Sequence, residues 1–439
     1  MEDKYVLGKE QNRDFLKNQR DALFGFGHGF VSPEGGAYYL GDAGEPWKDR
    51  PRETWITSRM THVYSMASML GHDGAKELAA SAVKGLTGEL HDDKFGGWYA
   101  GRTADGDILP GKQCYAHAFV ILAASSAKLA GIDGADELLD EALSTYDKYF
   151  WDEAEGLAVD TWDTEFKELS DYRGLNANMH TVEAFLAATD VTGDVRYRER
   201  AGRIIDRVIG WAKENEWRIP EHFSEKWVAE LDCNKDKPDD CFKPYGATPG
   251  HGIEWARLIT QWALASFGMK NSVKNDCDGT DAIIDDAAVP YIEAAKKLYD
   301  RAVSDAWNVD GAPGLCYTTD WDGAPVVHDR MHWTLAEAIN TSAVLYRVCR
   351  SKAENGESLG TSDDVKRFAL DYEMFMKYLD ECVIDHKNGS WFHQLDRLNN
   401  VIGTVWPGKS DLYHAVQAML IPYCGDVGVS IAVDVKNRR

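Results

Sequence analysis

Long apolar runs are missing from this 439-residue chain: no stretch approaches the roughly 18–20 residues that a membrane helix needs. Positive charge is scarce as well. The 48 Lys and Arg face 72 Asp and Glu, a net charge of −24, so nucleic acid and anionic membrane surfaces are poor partners. The eight cysteines contain no C-x-x-C pair, which removes zinc-ribbon and thioredoxin-like readings and leaves buried thiols in a reducing compartment. The start, Met1-Glu2-Asp3-Lys4, is charged and leads into no apolar stretch, so no signal peptide is read there and a cytoplasmic location is expected. There is no His-Glu-x-x-His, the spacing His-x-x-Glu is not the Glu-x-x-His of di-iron bundles, and no cluster of acids suits magnesium. Neither a metal nor another cofactor is therefore expected.

What the chain has is helical periodicity and material for a large core, with 44% hydrophobic residues and 15 tryptophans. Apolar spacing predicts helices over 56–71, 112–130, 135–149, 178–190, 194–213, 251–267, 288–304, 332–350, 363–383 and 411–424. Convincing strand alternation is sparse. Glycine-rich aromatic turns recur between helices, at Phe95-Gly96-Gly97-Trp98-Tyr99, Glu155-Gly156-Leu157, Pro313-Gly314-Leu315-Cys316-Tyr317 and Asn388-Gly389-Ser390-Trp391-Phe392, and suit short hairpins. The helices alternate in character. Those beginning near 57, 113, 178, 251, 332 and 411 carry histidine, glutamate, tryptophan and small residues; those near 13, 75, 135, 194, 290 and 363 are charged on one face. That pattern describes an all-α fold, an (α/α)6 barrel of six inner and six outer helices with short hairpins in the connecting loops. No linker divides it, so a single domain over 1–439 is expected, with surface insertions at 268–288 and 351–364 that are too polar to pack well.

Three histidines on inner-helix candidates have polar neighbours at helical spacing. Asn176, His180 and Glu183 form one set, His251 and Glu254 a second, and Asp411, His414 and Gln417 a third. A carboxylate one turn from an imidazole can fix its tautomer and raise its basicity, and a desolvated imidazole suits proton transfer near neutral pH. Arg59 sits beside Met60, Val63 and Ala67 on an inner helix, where a guanidinium needs an anionic or polar partner, such as a sugar oxygen gaining charge. Tyr115, and Trp333 with Glu337, complete a polar, aromatic cup, and Trp391, Phe392 and Gln394 are placed at its rim. Such cups suit sugars, which offer hydroxyls and apolar C–H faces. Two facing carboxyls for glycoside hydrolysis could be Glu254 and Glu337, but three histidines would then be idle.

These residues lie in stretches that resemble the N-acylglucosamine 2-epimerase superfamily over roughly 12–425. The matching stretches are Arg59-Met60-Thr61-His62, Phe95-Gly96-Gly97-Trp98, Tyr115-Ala116-His117-Ala118-Phe119, Asn176 to Ala184, Pro249 to Trp255, Trp333 to Ala338, and Lys409-Ser410-Asp411-Leu412-Tyr413-His414-Ala415. The last is similar to the aldose–ketose isomerase branch, which includes mannose and sulfoquinovose isomerases. The resemblance implies an (α/α)6 barrel and metal-free interconversion of an aldose such as D-mannose with its ketose. It implies a sugar site of Arg59, Tyr115, Asn176, His180, His251, Glu254, Glu337, Gln394 and His414. On this reading His251, oriented by Glu254, opens the ring, His414 moves the C2 proton to C1 through a cis-enediol, and Arg59 and His180 stabilise charge on the oxygens. The expected partner is a monosaccharide, and a homo-oligomer stays open. Three alternatives remain at this point: a sugar 2-epimerase on the same wall, an (α/α)6 glycosidase or lyase with carboxylates in the leading roles, and a non-catalytic interaction protein of the renin-binding type, against which the three histidines argue.

Overall fold

The computed structural model describes residues 3–270 and 282–438. Among these residues thirteen α-helices form: α1 (Glu10–Phe26), α2 (Thr54–Met69), α3 (Ala75–Thr87), α4 (Cys114–Ala130), α5 (Ala135–Tyr149), α6 (Leu175–Thr192), α7 (Val195–Glu214), α8 (Pro249–Phe267), α9 (Val289–Ala306), α10 (His332–Cys349), α11 (Ser362–Tyr378), α12 (Tyr413–Cys424) and α13 (Ile431–Asn437). Most boundaries fall within three residues of those read from the sequence. The exception is α11, whose expected end at 383 is a π-helical turn over Leu379–Val383.

The even helices from α2 to α12 pack successively on one another, and α12 returns to α2, closing an inner ring. Each odd helix from α1 to α11 packs outside one inner helix, so the (α/α)6 barrel stands as expected. Burial explains the two roles. Every residue of α2 except Ser68 is buried, as suits a helix enclosed on all sides. In α7 the buried residues Tyr197, Ala201, Ile204, Ile205, Val208 and Ala212 form one stripe, and Arg and Glu fill the other face. Gly202 on that stripe admits the Trp262 indole of α8: a Cβ there would lie 2.4 Å from its ring. The short α13 packs across α2, α4 and α12 at the C-terminal end of the inner ring. No helix among the described residues is long and apolar enough to cross a membrane.

The loops that lead from an outer helix into an inner one are long and carry the hairpins. Bridges at His91–Trp98, Trp307–Leu315 and Ile384–Trp391, and the pair Trp151–Asp152 with Leu157–Ala158, fall on the predicted glycine-aromatic turns. The residues just ahead of each inner helix also pair with the next loop around the ring. Arg52–Glu53 pairs with Gly101–Arg102, Lys112–Gln113 with Thr161–Trp162, and Arg173–Gly174 with His222–Phe223. Ala247 then pairs with Thr319, and Arg330–Met331 with Gln394–Leu395. The Lys409 N–H donates to the Leu40 carbonyl at 3.0 Å and completes the belt. The six inner N-termini are thereby fixed around one mouth.

Two wholly buried lysines lock this belt in the same way. Lys112 Nζ donates to Asp92 Oδ2 at 2.7 Å and to the Gly96 carbonyl at 2.9 Å. Lys409 Nζ donates to Asp385 Oδ2 at 2.8 Å and to the carbonyls of Gly389 and Asp42 at 2.6 and 2.8 Å.

The two expected insertions connect inner to outer helices, so they lie at the opposite end from the mouth. Of 268–288, residues 271–281 lie outside the described residues; the flanking Met269–Lys270 and Ile283–Ile284 pair antiparallel. The segment 351–364 is exposed over most of its length and is anchored at Ser351, Ala353 and Leu359, which are buried; Lys352–Ala353 runs parallel to Ile283–Ile284, and Thr361 forms a capping box with Asp364. A few apolar residues within a polar average were enough to anchor it.

Lys409→Met should leave the Asp385 carboxylate buried and unpaired. Chemical denaturation should show a loss of about 3–5 kcal/mol; a loss below about 1 kcal/mol would show that the belt does not depend on this pair.

Candidate active site

A cavity opens at the mouth, enclosing about 700 Å3 of space with its opening included. Its polar wall comes from the first two turns of the inner helices: Arg59 from α2, Tyr115 from α4, Asn176 and His180 from α6, His251 and Glu254 from α8, His332 and Trp333 from α10, and His414 from α12. Trp55, Phe242, Tyr317 and Trp406 add apolar faces, and Asp411 and His393 add polar ones.

Arg59 is packed among aromatic rings, with its guanidinium carbon 4.9 Å from the Trp55 centroid, 4.6 Å from Phe119 and 4.8 Å from Tyr413. It donates to Tyr115 Oη at 2.8 Å and meets Asp411 Oδ2 at 3.4 Å. Burial alone would raise the Asp411 carboxyl, but Arg59 and the Tyr413 N–H, which donates to Asp411 Oδ1 at 2.9 Å, bring its pKa below the ordinary value. Arg59 is thus held charged while part of its guanidinium still faces the cavity.

Two imidazoles share one arrangement. His251 Nδ1 lies 2.9 Å from Glu221 Oε1, and His414 Nδ1 lies 3.1 Å from Glu337 Oε1. A carboxylate on Nδ1 fixes the proton there and leaves Nε2 with its lone pair. The two rings flank the Trp333 indole, at centroid distances of 4.9 and 5.9 Å. Burial, with Arg59 and His332 close by, holds the His414 pKa well below the ordinary imidazole value, so it is an unprotonated base at neutral pH.

Arg257 of α8 sits beneath these groups. It donates to Glu337 Oε2 at 2.8 Å and to Glu254 Oε1 at 3.3 Å. Burial raises the pKa of both acids of this pair, and Glu254 is the one pushed well above the ordinary carboxylate value. Burial and the neighbouring Glu337 both raise its pKa, and its Oε2 has no protein partner, whereas Glu337 accepts from both Arg257 and His414. Glu183 is the ionised counterpart on α6. Burial would raise its pKa, but His180 at 3.5 Å, Arg257, and a hydrogen bond from Tyr413 Oη lower it, and Gln417 Nε2 donates to it at 3.1 Å. Burial lowers the His180 pKa to about 4 despite Glu183.

His180, Glu183 and Glu254 bring one ligand-type atom each within 4.8 Å of one another. Glu183 there already accepts from Tyr413 and Gln417 and lies 3.5 Å from His180, and the Arg257 guanidinium stands against Glu254. A cation there would share both carboxylates with an arginine.

Four sequence expectations need correction. Glu254, one turn from His251, does not orient it; Glu221, from the preceding loop, does, because Arg257 draws Glu254 towards the barrel axis. Trp391 does not reach the rim: it is wholly buried in the hydrophobic core. Gln394 is wholly buried too, and its amide clamps a loop, donating to Asp329 Oδ2 at 2.6 Å and Thr404 Oγ1 at 3.0 Å and accepting from the N–H groups of Val405 and Trp406. Glu337 acts through His414 and does not line the cavity. Sequence reasoning missed Glu221 and Tyr317, for which no local signal exists, and His332 and His393, each beside a residue it did name. Arg257 and Trp55 could have been found, three residues after Glu254 and four before Arg59 on their helices.

The sequence profile of the N-acylglucosamine 2-epimerase (GlcNAc 2-epimerase) family matches residues 35–418. The chain belongs to this family. Within it, the chain is 37% identical over 414 residues to a D-mannose isomerase of Thermobifida fusca, covering 94% of each protein. It is 38% identical over 417 residues to a D-mannose isomerase of Pseudomonas cannabina pv. alisalensis, covering 95% of this chain and 94% of the relative. A crystal structure of a D-mannose isomerase superposes with a TM-score of 0.78 at 25% identity, over 93% of this chain and 97% of the other. A cellobiose 2-epimerase from Spirochaeta thermophila DSM 6192 shares the fold, with a TM-score of 0.75 at 20% identity over 94% and 96% of the two chains.

Two measurements probe this geometry. Glu221→Gln should lower kcat/KM at least about tenfold without loss of fold, because a neutral amide neither fixes nor strengthens His251 as a base; undiminished activity would detach Glu221 from His251. The His414 ring, followed by NMR and assigned with His414→Gln, should stay neutral down through pH 6; a midpoint at 6.5 or above would contradict its burial-lowered pKa.

Proposed function

We propose that this protein interconverts D-mannose and D-fructose by proton transfer through a cis-enediol, without a metal. The observation that carries the reading is the pair of carboxylate-bound imidazoles, His251 and His414, facing one aromatic-walled cavity on either side of Trp333. The similarity to D-mannose isomerases over nearly the whole chain supports the substrate.

The cyclic aldose lies against Trp333, Trp55 and Trp406, which pack its C–H faces. His251 takes the proton from O1 and delivers one to O5 as the C1–O5 bond breaks, leaving the open-chain aldehyde. His414 Nε2 then removes the C2 proton, and O1 gains a proton as the C1–C2 double bond forms. His414 returns its proton to C1 on the same face while O2 loses its own, giving the ketose. A C2–H is a weak acid even beside a carbonyl, so charge on O1 and O2 must be stabilised. Arg59, His180 and Glu254, whose raised pKa favours the carboxylic acid, stand at the cavity wall to do this. A 2-epimerase would instead use both histidines on opposite faces of C2.

The product distinguishes these readings. Incubation with D-mannose, followed by 13C NMR, should give fructose; accumulation of glucose ahead of fructose would establish epimerisation. His414→Ala should lower kcat by about 10² or more, and a variant keeping a third of wild-type turnover would exclude His414 as the base. Activity should survive exhaustive EDTA treatment, and deuterium from D2O should enter C1 of fructose at least in part. Loss of activity on chelation, with no label in residual product, would replace proton transfer by a metal-assisted hydride shift.

A further inference from the structure

We infer that His332 is a specificity-determining residue that accepts a hydrogen bond from a sugar hydroxyl remote from the reacting carbons, admitting a neutral hexose and refusing one that carries an anionic group there. The inference rests on the isomerase reading above.

His332 opens α10, directly after the strand pair Arg330–Met331 with Gln394–Leu395. Its backbone N–H donates to the His393 carbonyl at 3.1 Å, and its ring Nδ1 reaches the same carbonyl at 3.3 Å. A carbonyl only accepts, so Nδ1 bears the hydrogen. A neutral imidazole has one such hydrogen, and Nε2 is left as a bare acceptor. The ring lines the cavity, and its Nδ1 edge is turned to the strand, so the Nε2 edge is the one available to a ligand.

The ring is also held neutral by its neighbours. It stacks on His393, with centroids 3.8 Å apart and planes at 11°, and two imidazolium rings would repel in that geometry. Burial lowers its pKa to about 4, with Arg59 adding to the effect and Asp411 opposing it. The Gln394 clamp holds the loop that carries His393, so the stacked pair is preorganised.

Position assigns the target. The His332 centroid lies 6.3 Å from that of His414, at 83° between planes. Two rings at that spacing can touch one sugar, and C1 and C2 already have His414, His251, Arg59, His180 and Glu254 assigned to them, which leaves His332 for a hydroxyl farther along the sugar. The hydroxyls at C4 and C6 are the candidates. A hydroxyl can donate to Nε2. A sulfonate or a doubly ionised phosphate oxygen carries no hydrogen to donate and would face the Nε2 lone pair.

The test crosses enzyme and substrate. Wild type and His332→Phe, which keeps a stacking ring without the acceptor, are assayed with D-mannose, 4-deoxy-D-mannose and 6-deoxy-D-mannose. In wild type one deoxy sugar should lose roughly tenfold in kcat/KM, mainly through KM. In His332→Phe that penalty should vanish, and in His332→Gln, whose amide oxygen can accept, it should partly return. Wild type should also use D-mannose 6-phosphate at least about 100-fold less well than D-mannose. The same deoxy penalty in wild type and in whichever variant folds would overturn the proposal, as would turnover of the 6-phosphate within tenfold of mannose. Failure of wild type to convert mannose at all would instead sink the isomerase reading, and this proposal with it.

Discussion

Six inner helices leave an axis that their apolar faces do not fill, and the charge of Arg257 is what makes that axis habitable. Its guanidinium binds Glu337 and Glu254 and lies close enough to Glu183 to help keep it ionised. Buried carboxylates without such a partner would take up protons or carry a large desolvation cost. With it, the acids differ by task. Glu337 is free to hold His414, Glu183 gathers Tyr413, Gln417 and His180, and Glu254 has its pKa pushed well above the ordinary carboxylate value. The tautomer of His414 and the charge states of these acids therefore follow from the ion cluster around Arg257.

The second constraint is the belt of short strand pairs. Each loop pairs with the next immediately ahead of an inner helix, so neither the heights nor the rotations of the six N-termini are independent. The side chains that line the cavity come from six helices that are distant in sequence, and rigid placement of those helices is what preorganises them. The helix N-termini also oppose positive charge on a nearby imidazole, in the same direction as burial. The corrected role of Gln394 belongs here: its amide serves the belt, positioning His393 and the Trp406 loop, and the chemistry only indirectly.

The separation of ends matters for the polar segments 268–288 and 351–364. Both connect inner to outer helices, away from the mouth, so length and composition there can vary without moving the cavity wall. The hairpin loops have no such freedom, because each is paired on both sides.

The twelve barrel helices, the alternation of inner and outer helices, and the hairpin turns were legible in the sequence, because burial on one face or on all faces leaves a periodic signature within a single helix; the seven-residue α13 was too short to show one. Residues carried by an inner helix's first turns, such as Arg59, His180, His251 and His414, were legible for the same reason. So was the 3.5 Å approach of His180 to Glu183, which is a contact within one helix. What the sequence could not determine was every contact that crosses between elements. Helical spacing offered Glu254 to His251 and Asp411 to His414; the fold supplied Glu221 and Glu337, from a loop and from a neighbouring helix. Trp391 and Gln394 carried the right chemistry for a rim, yet the strand pairing turned both into the interior. A barrel axis is built from side chains that reach across to other helices, and that reach depends on the relative rotation of helices far apart in the chain. No local pattern encodes it, and only the tertiary structure decides it.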